Sequence, residues 1–169
     1  MLEINKTNFP DELFREYISS TFGLDRGVML SKEELDKIVI INVEDIKNIQ
    51  SLEGIEYFPN IEYLNCRNTG ITSLDIRNNL NLKRLNCSTT AITELDISKN
   101  TMLEILSCNN TNITELEVRY NPRLEVRSGK HIKLIKEEDS IQNKIEQAII
   151  KVVLESIQQD RKESKEWER

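Results

Sequence analysis

Three cysteines, Cys66, Cys87 and Cys108, stand 21 residues apart, and the text around them recurs in step: IEYLNCRNTGITSLDIRNN, LKRLNCSTTAITELDISKN and LEILSCNNTNITELEVRYN. Each copy reads apolar-x-x-Leu-x-Cys-x-x-Thr-x-Ile-Thr-x-Leu-x-apolar. Ile61, Leu64, Ile71, Leu74 and Ile76 hold the apolar register of the first copy, Leu82, Leu85, Ile92, Leu95 and Ile97 of the second, and Leu103, Leu106, Ile113, Leu116 and Val118 of the third. A unit this short cannot enclose a core of its own. Its apolar face has to stack on a neighbour, and stacking at a fixed period produces a solenoid. The odd cysteine count therefore measures copies and is not a disulfide framework.

Within a copy, Leu-x-Cys alternates with the period of a strand, so Leu64 and Cys66 face inward while Tyr63, Asn65 and Arg67 face out. Leu74-Asp75-Ile76 predicts a second extended segment on the other side of the coil, with too few residues between the two for a helix. Stacked coils turn equivalent positions into ladders. Thr69, Thr90 and Thr111 form one, and Asn79, Asn100 and Asn121 another; inward hydroxyls and amides at these points satisfy backbone groups freed where the chain turns. A small, weakly polar thiol fits the inner strand position as core, and no further ligands are patterned around it for metal or redox work. Period and pattern are those of a leucine-rich repeat. The expected fold is a right-handed, β-rich repeat solenoid with α-helical caps at both ends.

The array reaches beyond the regular repeats at 61–121. Ile38-x-x-Ile41-x-Val43, with Ile46, Ile49, Leu52 and Ile55, reads as an irregular first coil. Downstream, Pro122-Arg123-Leu124 restarts a coil, but Arg127 falls where the second Leu belongs, a polar intrusion suited to an end coil. His131-Ile132-Lys133-Leu134-Ile135 alternates like one more strand. The chain thus divides into a cap at 1–37, a solenoid of about five coils at 38–135, and a C-terminal helix with a charged tail at 136–169.

In the cap, Pro10-Asp11-Glu12 opens a helix through Ile18, and Ser31-x-x-Glu34 is a capping box opening a second. Helix, loop and helix resemble an EF-hand. With Glu34 as the last ligand of a twelve-residue loop, the first, third and fifth positions are Gly23, Asp25 and Gly27, and Val28 replaces the sharp-turn glycine, so the unit reads as a structural cap without calcium. At the other end, Asp139-Ser140 caps a helix whose apolar positions Ile141, Ile145, Ala148, Ile149, Val152 and Val153 form one stripe. Ile150, Leu154 and Ile157 widen it beyond one packing surface, so the helix either buries one side on the last coil and leaves an excess or uses the remaining arc as a docking or homodimer face. Trp167 is isolated in the charged tail.

Residues 4–124 resemble bacterial leucine-rich-repeat proteins that begin with a degenerate EF-hand-like NFPD..FR.Y cap, continue through L.GIEYF.N and run in 21-residue L..L.C..N.I..LD.S.N units. Internalins are more distant relatives of the same kind. The matching text is NFPDELFREY, SLEGIEYFPNIEYLNC and LKRLNCSTTAITELDISKN. The resemblance implies a protein-binding array of the sort found in secreted or surface-attached adhesion and host-interaction proteins.

No metal-spaced His, Cys and Asp set and no phosphate loop occurs, and the single histidine, His131, has no patterned nucleophile beside it. An enzyme is not expected, and neither is a cofactor or a metal. The net charge of −6 is concentrated at the N-terminal end. A basic footprint is confined to Arg123, Arg127, Lys130 and Lys133, so direct nucleic-acid binding is not expected. No window has the roughly 18 uninterrupted apolar residues of a membrane span. With Met1 as the native start the chain reads as cytoplasmic; trimmed of a leader, it would be secreted or surface-attached.

The expected function is protein–protein interaction through the outward strand residues Tyr63, Asn65, Arg67, Arg84, Asn86, Ile105, Ser107 and Asn109, with the helix face as a second element. Tyr63, Arg67 and Arg84 are the anchor candidates. The alternative is a small acidic cytoplasmic inhibitor of the mobile-element or phage type, blocking a nucleic-acid-processing enzyme through Asp75, Asp96, Glu117, Glu94 and Glu115.

Overall fold

The computed structural model describes residues 1–23, 29–136, 145–146 and 148–155. The chain divides into two compact units, Met1–Leu134 and Ile135–Arg169.

The first unit opens with a short strand β1 (Leu2–Glu3), helix α1 (Glu12–Thr21), strand β2 (Met29–Leu30) and helix α2 (Lys32–Asp36). β1 and β2 pair antiparallel. The NFPD..FR.Y text has a physical reason at nearly every letter. Phe9 is fully buried and its ring meets Phe14, Tyr57 and Phe58 at centroid distances of 6.0, 5.7 and 5.9 Å. Asp11 caps α1 by accepting from Phe14 N, and its other oxygen accepts from Gln50 N at 2.7 Å, tying the cap to the first coil. Arg15 donates to the Phe9 carbonyl at 2.6 Å. The Tyr17 hydroxyl accepts from Asn42 N at 2.9 Å, on a strand at the edge of the main sheet.

That sheet is parallel. β3 (Ile40–Asn42), β4 (Tyr63–Asn65), β5 (Arg84–Asn86), β6 (Ile105–Ser107) and β8 (Glu125–Arg127) lie in this order, one strand per coil. Ile41, Leu64, Leu85, Leu106 and Val126 are partners across it. Two residues further on, the inward ladder reads Val43, Cys66, Cys87, Cys108 and Ser128, and all three thiols are free and buried. Burial raises each thiol's pKa, that of Cys66 to about 12.

The turn after each of the first four strands of this sheet uses a left-handed residue: Asp45, Asn68, Thr89 and Asn110 all have φ between 53° and 64°. One residue later, Thr69, Thr90 and Thr111 donate to the carbonyls of Cys66, Cys87 and Cys108. On the far side, each asparagine amide donates to two carbonyls of the preceding coil; Asn100 Nδ2 lies 3.0 Å from Ile76 O and 2.9 Å from Asn79 O. Both ladders are buried.

Two expectations change. The last coil is one residue shorter than the regular 21-residue repeats: Leu106 pairs with Val126, 20 residues on, and Ser107 with Arg127. Arg127 is therefore exposed and bonded to Glu125, and the half-buried Val126 takes the inner position. The extended stretch at Leu74-Asp75-Ile76 and its copy at 95–97 form no regular strand. Only the third copy does, as β7 (Glu115–Glu117), because β9 (Lys133–Ile135) supplies it with a partner.

In the second unit residues 148–155 are helical. The helix cap at Asp139-Ser140, Ile141, Ile157 and Trp167 lie outside the described residues, as do Asp25, Gly27 and Val28.

Candidate functional site

Parallel pairing fixes the outward side chains of the sheet in rows. The first row is Ile40, Tyr63, Arg84, Ile105 and Glu125; the second is Asn42, Asn65, Asn86, Ser107 and Arg127. A third, two residues beyond the second, is Glu44, Arg67, Ser88 and Asn109.

Accessibility separates them. Ile40, Arg84 and Arg67 are exposed, while Tyr63, Ile105, Asn86, Ser107 and Asn109 are half-buried. Asn65 is only 3% exposed. Its amide donates to Glu44 Oε2 at 3.0 Å and its carbonyl oxygen accepts from Arg67 N, so it braces the sheet and offers nothing to a partner. Ser88 is buried too, with its hydroxyl accepting from Asn109 N. The cause is the same at both: a short polar side chain between stacked coils bonds to its neighbours before it reaches solvent.

The charges on this face are mostly paired. Arg67 Nη1 lies 2.8 Å from Glu44 Oε1, which holds the guanidinium pKa above its usual value, and Lys83 Nζ lies 2.9 Å from Glu62 Oε1. Arg127 bonds Glu125, whose carboxyl that guanidinium holds below its usual range. The Arg84 backbone N–H donates to Glu62 O at 3.0 Å, and its guanidinium has no ion-pair or hydrogen-bond partner among the described residues.

Two hollows meet at the cap end of the first row. One, of about 470 Å³, is lined by Val39, Ile40, Glu62, Tyr63, Lys83, Arg84 and Glu104. The other, of about 380 Å³ and mainly apolar, is lined by Phe22, Leu30, Glu34, Lys37, Ile38, Val39 and Ile40. Val39 and Ile40 belong to both and are 43% and 54% exposed. Sequence reasoning missed this cap-side hollow. Its signal was present in Val39-Ile40-Ile41, where an outward strand position carries isoleucine in place of a polar residue.

On the opposite side, the acidic set is interleaved with cations. Asp75 is bonded bidentately by Arg77 at 3.0 and 2.7 Å, and this holds its carboxyl below the usual range. Asp96 is held low by its hydrogen bonds with Ser98. Glu117 pairs with Arg119, and Glu115 with Lys133 at 3.7 Å. Glu94 is exposed. Of the C-terminal face, Ile150 and Leu154 are about half exposed, as are Ile145, Ile149 and Val153. Glu34, the last EF-hand-like ligand, accepts from both Ser31 N and Ser31 Oγ, and its carboxyl is held low by them. Among the described residues no group of His, Cys, Asp and Glu is placed to hold a metal ion, and no helix is long and apolar enough to cross a membrane.

No protein-family model and no curated protein sequence matches the chain. Solved structures do. An internalin of Listeria monocytogenes, inlF, superposes with a TM-score of 0.70 at 25% identity over 78% of this chain and 40% of its own. Internalin C2 of the same organism gives 0.68 at 19% identity over 79% of this chain and 61% of its own. The functional domain of the Listeria InlJ, described as including a cysteine ladder, gives 0.51 at 22% identity over 66% of this chain and 23% of its own. The chain thus spans less than two thirds of each. Its array is a leucine-rich-repeat solenoid of internalin-like architecture.

Proposed function

We propose that the chain is a non-enzymatic protein-binding module that docks its partner on the outward face of the five-stranded sheet. The observation that carries this reading is the first row, where an aromatic, an unpaired guanidinium and two isoleucines share one rigid line beside two hollows. The accessible contact set is Tyr63, Arg67, Arg84, Asn86, Ile105, Ser107 and Asn109, without Asn65. The apolar helix face at Ile150 and Leu154 is a second element, either for the same partner or for a second copy. Sedimentation of the whole chain from micromolar to millimolar concentration separates these, since a homodimer shifts with concentration.

The test is capture of partners by the tagged chain in its native host. Tyr63→Ala with Arg67→Ala and Arg84→Ala removes the sheet anchors; Asp75→Lys with Asp96→Lys inverts the opposite side. Loss with the first set alone supports the sheet. Loss with the second set alone, together with binding that weakens steeply with salt, supports the acidic-inhibitor alternative. That alternative rests on the groove of about 410 Å³ lined in part by Glu53, Glu56 and Asp75. It is weakened by the cations already seated on Asp75, Glu117 and Glu115.

A further inference from the structure

The first row sets a spacing that a partner has to match. Ile40, Tyr63, Arg84 and Ile105 stand in register on four consecutive strands. At about 4.8 Å per strand the row is about 14 Å long. An extended segment laid along it would carry same-side residues about 6.8 Å apart, out of step with the strands. A helix rising about 1.5 Å per residue brings positions i, i+3, i+7 and i+10 onto one stripe about 15 Å long, one position per strand.

The third place in the row is where the charge is open. Arg67, Arg77, Arg119 and Arg127 each hold a carboxylate, and Lys83 holds Glu62. Arg84 has Tyr63 and Ile105 as its row neighbours, so no acid of the array faces it across the strands. An exposed guanidinium with an aromatic on one side and an isoleucine on the other is suited to take a carboxylate through two parallel hydrogen bonds. Glu104, which lines the same hollow just before Ile105, repels a second acid at the end of the row. The complementary partner is therefore apolar at three places and acidic at one.

Resting on the sheet-face reading above, we propose that this row receives an amphipathic helix of a partner protein, with apolar side chains on Ile40, Tyr63 and Ile105 and a carboxylate on Arg84. With i over Ile40, the acid falls at i+7; in a helix running the other way it falls at i+3. This is helix-in-groove recognition with a β-ladder as the ruler.

The experiment uses the whole chain and stapled helical peptides bearing leucine at three anchor positions and glutamate at the fourth, in both placements, with glutamine and lysine versions of each. Binding is read by fluorescence anisotropy, and thermal melts verify that each variant is folded. One glutamate peptide is expected to bind about tenfold more tightly than its glutamine version, the advantage of a charge-assisted pair. Arg84→Ala should abolish that difference, and Arg84→Glu should prefer lysine. Equal binding of glutamate and glutamine peptides, or discrimination that survives Arg84→Ala, overturns the carboxylate assignment; the sheet-face reading then stands if Tyr63→Ala still weakens binding. If no peptide binds, the helix proposal is overturned, while the sheet-face reading is judged by the capture experiment.

Discussion

Thr89 occupies a conformation its side chain disfavours. Its φ is 58°, in the left-handed region, where a β-branched residue crowds its own backbone. The other coils place Asp45, Asn68 and Asn110 at this point of the turn, residue types that tolerate it. Thr89 is exposed, and its backbone N–H donates to Asn109 O at 2.7 Å, a bond that any residue except proline keeps. Thr89→Asn should therefore remove strain and cost no contact. A left-handed L residue costs roughly 1–2 kcal/mol, and asparagine recovers part of that, so a gain of about 1 kcal/mol is expected, or about 2–4 °C in Tm for a chain of this size. Thr89→Gly should gain less, because glycine also loosens the unfolded chain, and Thr89→Val should gain nothing. Asn110→Thr is the mirror experiment and should lose about the same 1 kcal/mol. Urea denaturation read by far-ultraviolet circular dichroism measures all four. If Thr89→Asn is neutral or destabilising while Asn110→Thr is harmless, the backbone strain argument for this turn is wrong.

Three further outcomes follow from the ladders and the cap. Asn100→Ala removes two buried hydrogen bonds and should cost about 2–3 kcal/mol in urea midpoint analysis; Asn100→Asp, which aims a carboxylate at the same carbonyls, should cost more. Burial pushes the Cys66 thiol up to about 12 from the 9.0 of an exposed thiol, so the unfolded chain loses this proton first as pH rises. Its contribution to stability is fully present below pH 9 and is lost between pH 9 and 12, and the decline of the urea midpoint over that range should be shallower in Cys66→Ala than in the native chain. Gly54, at φ 103°, would place a Cβ 2.3 Å from the Phe9 ring and 2.5 Å from Asn8 O. Gly54→Ala should destabilise by more than about 2 kcal/mol, combining strain with a clash against the cap, and loss of less than half of that in a thermal melt would mean that the cap moves aside freely.

Much of this molecule is legible in its sequence because a repeat reports each inward position several times. Three copies of Leu-x-Cys leave one consistent register, and that register alone puts Arg84 between Tyr63 and Ile105. What escaped reading depends on single events that no repetition corrects. The last coil is shortened by one residue, which moves Val126 inward and Arg127 outward; from spacing alone, Arg127 occupied the inner place. Asn65 looks outward by alternation, yet the carboxylate of Glu44, one coil away, draws its amide into the sheet. Pairing on the acidic side likewise depends on side-chain reach, as in Arg77 curling back to Asp75. Alternation assigns a face to each residue, and the contacts made one coil up or down then decide which of those residues stay available. On this sheet such contacts take up Asn65, Ser88 and most of the charge, so the open chemistry is concentrated on one row, Ile40 to Ile105, with Arg84 as the charge that no described residue answers.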